Sequence, residues 1–216
     1  MIRFSFLGFP VTIQWMFWVV IVLLSGQIDN LSQPGGLQML GIWMAVVLLS
    51  ILWHELGHVL FQKKYGAQPE IVLWGGGGLA IPHGGRFTRT QSFIIAAAGP
   101  AFGLMLWAFS ERYFHYFPPK TDMAIELRNT IIFVNLWWSI LNLVPVIPLD
   151  GGRMMEALLG PQKIKITAGI GLVLAVGMAL AAFVLLKSIF MAIFFAFFAY
   201  QNFQILKQGR SSNDII

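Results

Sequence analysis

Trp53-His54-Glu55-Leu56-Gly57-His58 sits inside an otherwise apolar run from about Leu37 to Gln62, and the nature of that run decides the fold. A helix that crosses a bilayer needs about 20 predominantly apolar residues. An ionisable side chain at membrane depth costs about 3 kcal/mol on insertion scales. Three such residues fall here within five positions, so they are functional candidates by default. His54 and His58 are four apart, which puts both imidazoles on one helix face, where they can grip one metal ion. Glu55 follows the first of them and can reach a water at that metal. This is the His-Glu-x-x-His arrangement of zinc hydrolases. In the blander reading the histidines hydrogen-bond to neighbouring helices and the glutamate pairs with Arg or Lys, but the insertion cost removes most chance matches of this kind.

The rest of the chain agrees with a lipid setting. Hydrophobic residues make up 57% of the 216 positions and charged residues 11%, against about 25% charged in a soluble domain. Six apolar blocks come close to spanning length: about Val11 to Ser25, Leu37 to Gln62, Gln91 to Ser110, Asn129 into the Pro145 to Pro148 region, Ile166 to Leu186, and Ser188 to Leu206. The expected fold is therefore an all-α membrane protein of about six transmembrane helices, one domain over 1–216 with no separate soluble domain. After the second span, Glu70-Ile71-Val72-Leu73, the run Gly75 to Gly78 and Leu79-Ala80-Ile81 predict a small membrane-associated β-hairpin, or an ordinary loop. The first block has one basic residue before it, Arg3, and no Ala-x-Ala-like site after it, so it reads as a retained span and not a signal peptide.

The formal charge of +5 does not indicate nucleic acid, because the basic residues fall in the gaps between apolar blocks. With six spans and the amino terminus in the cytosol, Arg3, Lys63, Lys64, Arg86, Arg89, Arg153, Lys163, Lys165, Lys207 and Arg210 lie inside. Arg112, Lys120, Arg128 and Lys187 lie outside. The positive-inside rule favours this multi-pass orientation in the cell membrane, both termini cytoplasmic and the site toward the cytoplasm. The absence of cysteine excludes thiol catalysis and thiolate-bound zinc.

A catalytic zinc usually takes three protein ligands and keeps one position open. Asp29, Glu70, Asp122 and Glu126 read as loop residues. Asp150 differs, because it follows Asn142-Leu143-Val144-Pro145-Val146-Ile147-Pro148-Leu149 at the end of the fourth span. Pro145 and Pro148 should unwind that stretch. Unwound backbone at membrane depth is tolerated only where protein buries it or it lines a watery cavity. Asp150 is thus the candidate third ligand; it could also cap a short helix beginning at Gly151. His83 reads as a loop residue and His115 as interfacial, and neither is assigned to metal.

These residues resemble the site-2 protease family of intramembrane zinc metalloproteases. The resemblance rests on His54-Glu55-Leu56-Gly57-His58 and on Asn142 to Asp150-Gly151-Gly152. Ala97-Ala98-Gly99-Pro100, Phe9-Pro10-Val11 and Gly75 to Gly78 add weaker marks. Where the family often has proline after the asparagine, this chain has Leu143, with Pro145 and Pro148 close by. Many members also carry a PDZ or nucleotide-sensing domain; these residues read as a bare catalytic core. The resemblance implies one zinc ion per chain held by His54, His58 and Asp150, with Glu55 taking a proton from water and returning it to the leaving amine. The implied substrate is a transmembrane protein. Asn142 could donate its amide to substrate backbone or to a developing oxyanion, or could simply hydrogen-bond between helices. The β-hairpin edge could hold substrate as an added strand.

Other chemistries fit less well. No serine lies in a Gly-x-Ser-Gly-like site, only one membrane aspartate is available, and four histidines are too few for a di-iron oxygenase. A membrane-anchored zinc protease acting on soluble or misfolded proteins would share His54 to His58. A zinc transporter, from a different class, would need polar residues along several spans, and the last two have almost none.

Overall fold

The sequence begins with an alternating segment that folds as a hairpin. In this computed structural model, which describes residues 1–28 and 31–208, β1 (Ile2–Phe6) pairs antiparallel with β2 (Phe9–Ile13). Leu7 and Gly8 join them, with φ of 48° and 84°. Positive φ at both central residues is what a tight hairpin turn of matching twist requires. Helix α1 (Trp15–Leu24) and the long α2 (Gly36–Lys64) follow. The chain then returns to the same sheet through β3 (Gln68–Trp74) and β4 (Gly77–His83). The strand order is β1-β2-β3-β4, with β2 parallel to β3 and β3 antiparallel to β4. Val11, Ile13, Ile71 and Leu73 alternate inward and are buried with Leu52, Leu56 and Val59 of α2. The period of two on the strands thus meets the apolar face of a helix.

Four more helices follow: α3 (Arg89–Tyr116), α4 (Asp122–Leu143), α5 (Asp150–Leu159) and, after a 3-10 turn at Pro161–Lys163, α6 (Ile164–Val184). A last helix, α7, covers Ile189–Gln208. The start of α3 is specified locally by a capping box. Thr88 N–H donates to Gln91 Oε1 at 2.8 Å, and Gln91 N–H donates to Thr88 Oγ1 at 3.3 Å.

Two compact units emerge. One comprises Met1–Arg86 with Ala98–Ser139; the other comprises Phe87–Ala97 with the described part of Ile140–Ile216. The first holds the sheet, α1, α2 and most of α3 and α4. Within it, Asn135 of α4 donates to Ser50 Oγ of α2 at 2.9 Å, the kind of interhelical bond that replaces the hydrophobic effect in lipid, at about 0.6 kcal/mol apiece. The second unit is built on α6 packed against α7. Ala168, Ala175 and Ala182, spaced by sevens and at most 1% exposed, give α6 a small-residue seam.

Several expectations need correcting. Among the described residues, four helical segments are long and apolar enough to cross a membrane: Gly36–Lys64, Arg89–Tyr116, Pro161–Val184 and Ile189–Gln208. The first of the six expected blocks is instead shared between a strand and a short helix. Val11 to Ile13 pair with β1 and β3, and the ten residues of α1 rise about 15 Å, half of the roughly 30 Å hydrocarbon core. The fourth block begins earlier than expected, so α4 carries Asp122, Glu126 and Arg128 in its first two turns. The hairpin after α2 is present, but as half of a four-stranded sheet. Glu70 and His83, expected in loops, lie on β3 and β4, with His83 Nε2 3.0 Å from Glu70 Oε1. Asp29 and Arg210 lie outside the described residues.

Candidate metal centre

His54, Glu55 and His58 occupy the carboxy-terminal half of α2 and are 2%, 4% and 6% exposed. The four-residue spacing does what it predicted. The two Nε2 atoms lie 3.2 Å apart, with the rings at 74° to each other. Two ligands each about 2.05 Å from a tetrahedral ion stand about 3.3 Å apart, so this pair is already set at the separation zinc demands.

The neighbouring helix is held close enough to build a cradle. Trp53, just before the first histidine, donates its indole N–H to the Phe102 carbonyl of α3 at 3.0 Å. Gly57 lets the backbones approach, since a Cβ there would meet the Ala98 carbonyl oxygen at 2.5 Å. One residue on, Gly99 faces the imidazoles. A Cβ on Gly99 would lie 2.6 Å from His54 Nε2 and still closer to His58 Nε2. The Gly57–Gly99 contact therefore keeps open the space in front of both donors, where an ion belongs. From the other side comes β4, whose Gly78 leaves no room for a side chain over the Glu55 carboxylate. A Cβ there would meet Glu55 Cδ at 2.6 Å.

In the second unit the expected unwinding is present. Helix α4 stops at Leu143, and 144–149 form an irregular segment tied by Val146 N–H to the Val144 carbonyl (2.7 Å) and Leu149 N–H to the Val146 carbonyl (2.8 Å). Helix α5 then begins at Asp150 itself, with Leu149 at the N-cap position. The alternative in which Asp150 caps a helix starting at Gly151 is therefore off by one residue. In the first turn its carboxylate still benefits from the positive end of the helix. Asp150 and Asn142 are both 8% exposed, Asn142 in the last turn of α4. At its far end, α5 is fastened by Arg89, which donates from Nε to the Ala157 carbonyl at 2.9 Å and from Nη2 to the Leu158 carbonyl.

His54 and His58 of the first unit and Asp150 of the second are each buried, and each offers one donor atom suited to a metal ion. Two imidazoles and one carboxylate are an established donor set for catalytic zinc, and the histidine spacing and the Gly99 cradle fit that ion. His83 is engaged with Glu70, and His115 lies in the last turn of α3. Gly78 and Asn202 are two close-contact residues that no sequence motif singles out. Gly78 was one of four consecutive glycines with nothing to distinguish it. Asn202, fully buried in α7, carried a usable signal: an amide inside an apolar helix needs a partner.

Residues 119–184 match Peptidase family M50. Over 176 residues the chain is 33% identical to Rip3 of Mycobacterium tuberculosis, covering 76% of this chain and 45% of that protein. It is 29% identical over 183 residues to the zinc metalloprotease MJ0392 of Methanocaldococcus jannaschii, covering 82% of this chain and 52% of that one. The chain thus spans about half the length of the curated relatives it matches. Among solved structures it is similar to the site-2 protease from Methanocaldococcus jannaschii, with a TM-score of 0.70, 26% identity, and coverage of 95% of this chain and 94% of that one.

Proposed function

We propose that this chain, which is similar to Peptidase family M50 over residues 119–184 and to a site-2 protease of solved structure, is an intramembrane zinc metalloprotease that cuts a peptide bond in or near a transmembrane segment of another membrane protein. The observation that carries this reading is the burial of His54, Glu55 and His58 within α2, a helix long and apolar enough to cross a membrane. A soluble-type hydrolase has no reason to sink its acid–base machinery there.

Zinc, when bound, supplies Lewis acidity that polarises a scissile carbonyl and makes water acidic near neutral pH. His54 and His58 hold it from α2, and Asp150 adds the carboxylate that lowers the net charge of the site. Glu55, adjacent to the first histidine, accepts the proton from the attacking water and delivers it to the leaving amine. Its place under Gly78 of β4 restricts the carboxylate to a narrow range of positions. Asn142 donates its amide to substrate backbone or to the developing oxyanion. The substrate helix must unwind before its carbonyls can be attacked. Strand β4 lies at the edge of the sheet, and an extended substrate segment added to it would be held beside Glu55.

The sheet also supports the orientation. Strand β2 leads into α1 and α2 leads into β3, and the two strands are paired, so Arg3, Lys63 and Lys64 share one side, the cytoplasmic one under the positive-inside rule.

The test is cleavage of a membrane-spanning peptide by the purified chain in lipid vesicles. Hydrolysis should stop on zinc chelation, return with zinc, and fall about 10²–10⁴-fold in Glu55→Gln with zinc content unchanged. Near-normal hydrolysis by Glu55→Gln would remove Glu55 from its role. Cleavage confined to soluble substrates would favour the membrane-anchored alternative, and zinc flux without cleavage a transporter.

A further inference from the structure

Helix α7 is apolar along most of its length, yet Asn202 is fully buried in it. Its amide donates to the Ile147 carbonyl at 2.6 Å and to the Phe198 carbonyl, one turn back on its own helix, at 2.8 Å. Ile147 belongs to the irregular segment between α4 and α5, three residues before Asp150. The backbone bonds of that segment tie Val146 to Val144 and Leu149 to Val146. Asn202 supplies the donor for the carbonyl that lies between them.

Helix α6 is shaped to admit this amide. A Cβ on Gly171 would lie 3.0 Å from Asn202 Cγ and closer still to Oδ1. Packing of α6 on α7 does not by itself call for an amide, since Ala168, Ala175 and Phe198 already fill the seam. A leucine would serve there at lower insertion cost. What leucine could not do is hold a backbone carbonyl of an irregular segment walled in by Val146, Ile147 and Leu149, each 8% exposed or less. A buried carbonyl deprived of its donor turns toward another, and the residues that follow turn with it.

We propose that Asn202 is a positioning residue for the metal centre: by holding the Ile147 carbonyl it fixes the segment from which Asp150 emerges, and so the direction in which that carboxylate is presented. This rests on the assignment of Asp150 as a metal ligand. Partners that orient a ligand from behind commonly carry 10–100-fold in metal affinity.

The full chain, purified in detergent, is compared with four variants. Asn202→Leu removes both N–H donors and keeps the branching at Cγ. Gly171→Ala keeps the amide but pushes on its oxygen. Phe195→Ala, about 10 Å back along α7, removes packing and no donor. Asp150→Asn tests the underlying assignment. Thermal midpoint, zinc affinity by chelator competition and the visible spectrum of the cobalt(II)-loaded protein are measured for each. Asn202→Leu and Gly171→Ala should each lose about 10–100-fold in zinc affinity and shift the cobalt bands. Phe195→Ala should lower the midpoint with affinity and spectrum unchanged. If Asn202→Leu does not fold, Gly171→Ala decides alone. Wild-type affinity and spectrum in the folded variants, or an equal shift in Phe195→Ala, overturns the proposal. Zinc loss in Asp150→Asn with none in Asn202→Leu sinks this inference alone, whereas wild-type zinc binding by Asp150→Asn removes the ligand assignment itself.

Discussion

Gly99→Ala adds one methyl group at the most crowded point of the proposed metal centre. By helix propensity alone the change should stabilise α3 by about 1 kcal/mol. The geometry gives the opposite sign for function. The new carbon would lie 2.6 Å from His54 Nε2 and nearer to His58 Nε2, where ordinary contact begins at 3.4 Å. Helix α3 has little freedom to retreat, because Ala98 is against Gly57 and the Phe102 carbonyl holds the Trp53 indole. The imidazoles must therefore yield, by about 1 Å, and misplacement on that scale costs about 10²-fold in rate. The loss should be visible first in zinc affinity, measured by chelator competition on the purified protein, and then in hydrolysis of a membrane-spanning peptide. Circular dichroism should show the helices intact. Full zinc occupancy and wild-type cleavage in Gly99→Ala would show that the space in front of His54 and His58 is not where the ion sits.

Asp150→Asn should insert and fold, because asparagine is well tolerated near a helix start, yet be depleted in zinc; elemental analysis of the purified variant showing one zinc per chain would move the third ligand elsewhere. Gly57→Ala should act on the same cradle from the α2 side, its Cβ meeting the Ala98 carbonyl at 2.5 Å, and should lower the thermal midpoint as well as zinc affinity, by about 1–3 kcal/mol in stability for an overpacked helix contact. The chain has no cysteine, so single cysteines at Arg86 and Asp122 report sidedness cleanly. They should react with an impermeant thiol reagent from opposite faces of the membrane, and labelling of both from one face would refute the orientation.

What could be read from the chain follows from how local each signal is. His54, Glu55 and His58 announce themselves because lipid makes three adjacent ionisable groups expensive, and a four-residue spacing has one meaning on a helix. Pro145 and Pro148 disrupt helix geometry wherever they occur, so the break before Asp150 was legible too. The β3–β4 hairpin showed itself through β-branched residues flanking glycines. Strand β2 did not, because Phe9 to Ile13 is as apolar as a span entry, and its parallel partner lies about 60 residues away across two helices. Pairing at that distance leaves no periodic trace in either segment. The roles of Gly78 and Asn202 depend on which backbone approaches them, which no stretch of sequence encodes by itself.

The pairing of β2 with β3 also bears on bilayer thickness. Val11, Thr12 and Ile13 are in register with Ile71, Val72 and Leu73, and a shift of one residue would turn the buried side chains of a strand out of the core. The pair closes a loop around α1 and α2, so α2 cannot slide along its own axis relative to the sheet without breaking that register. His54 lies ten residues before the end of α2 at Lys64, about 15 Å along the axis. A thicker or thinner membrane is met by tilting or by local deformation of the bilayer, while the histidines keep their distance from the sheet. Depth is measured here from the sheet and not from the lipid, so His54 and His58 keep one position relative to β2 and β3 in bilayers of different thickness.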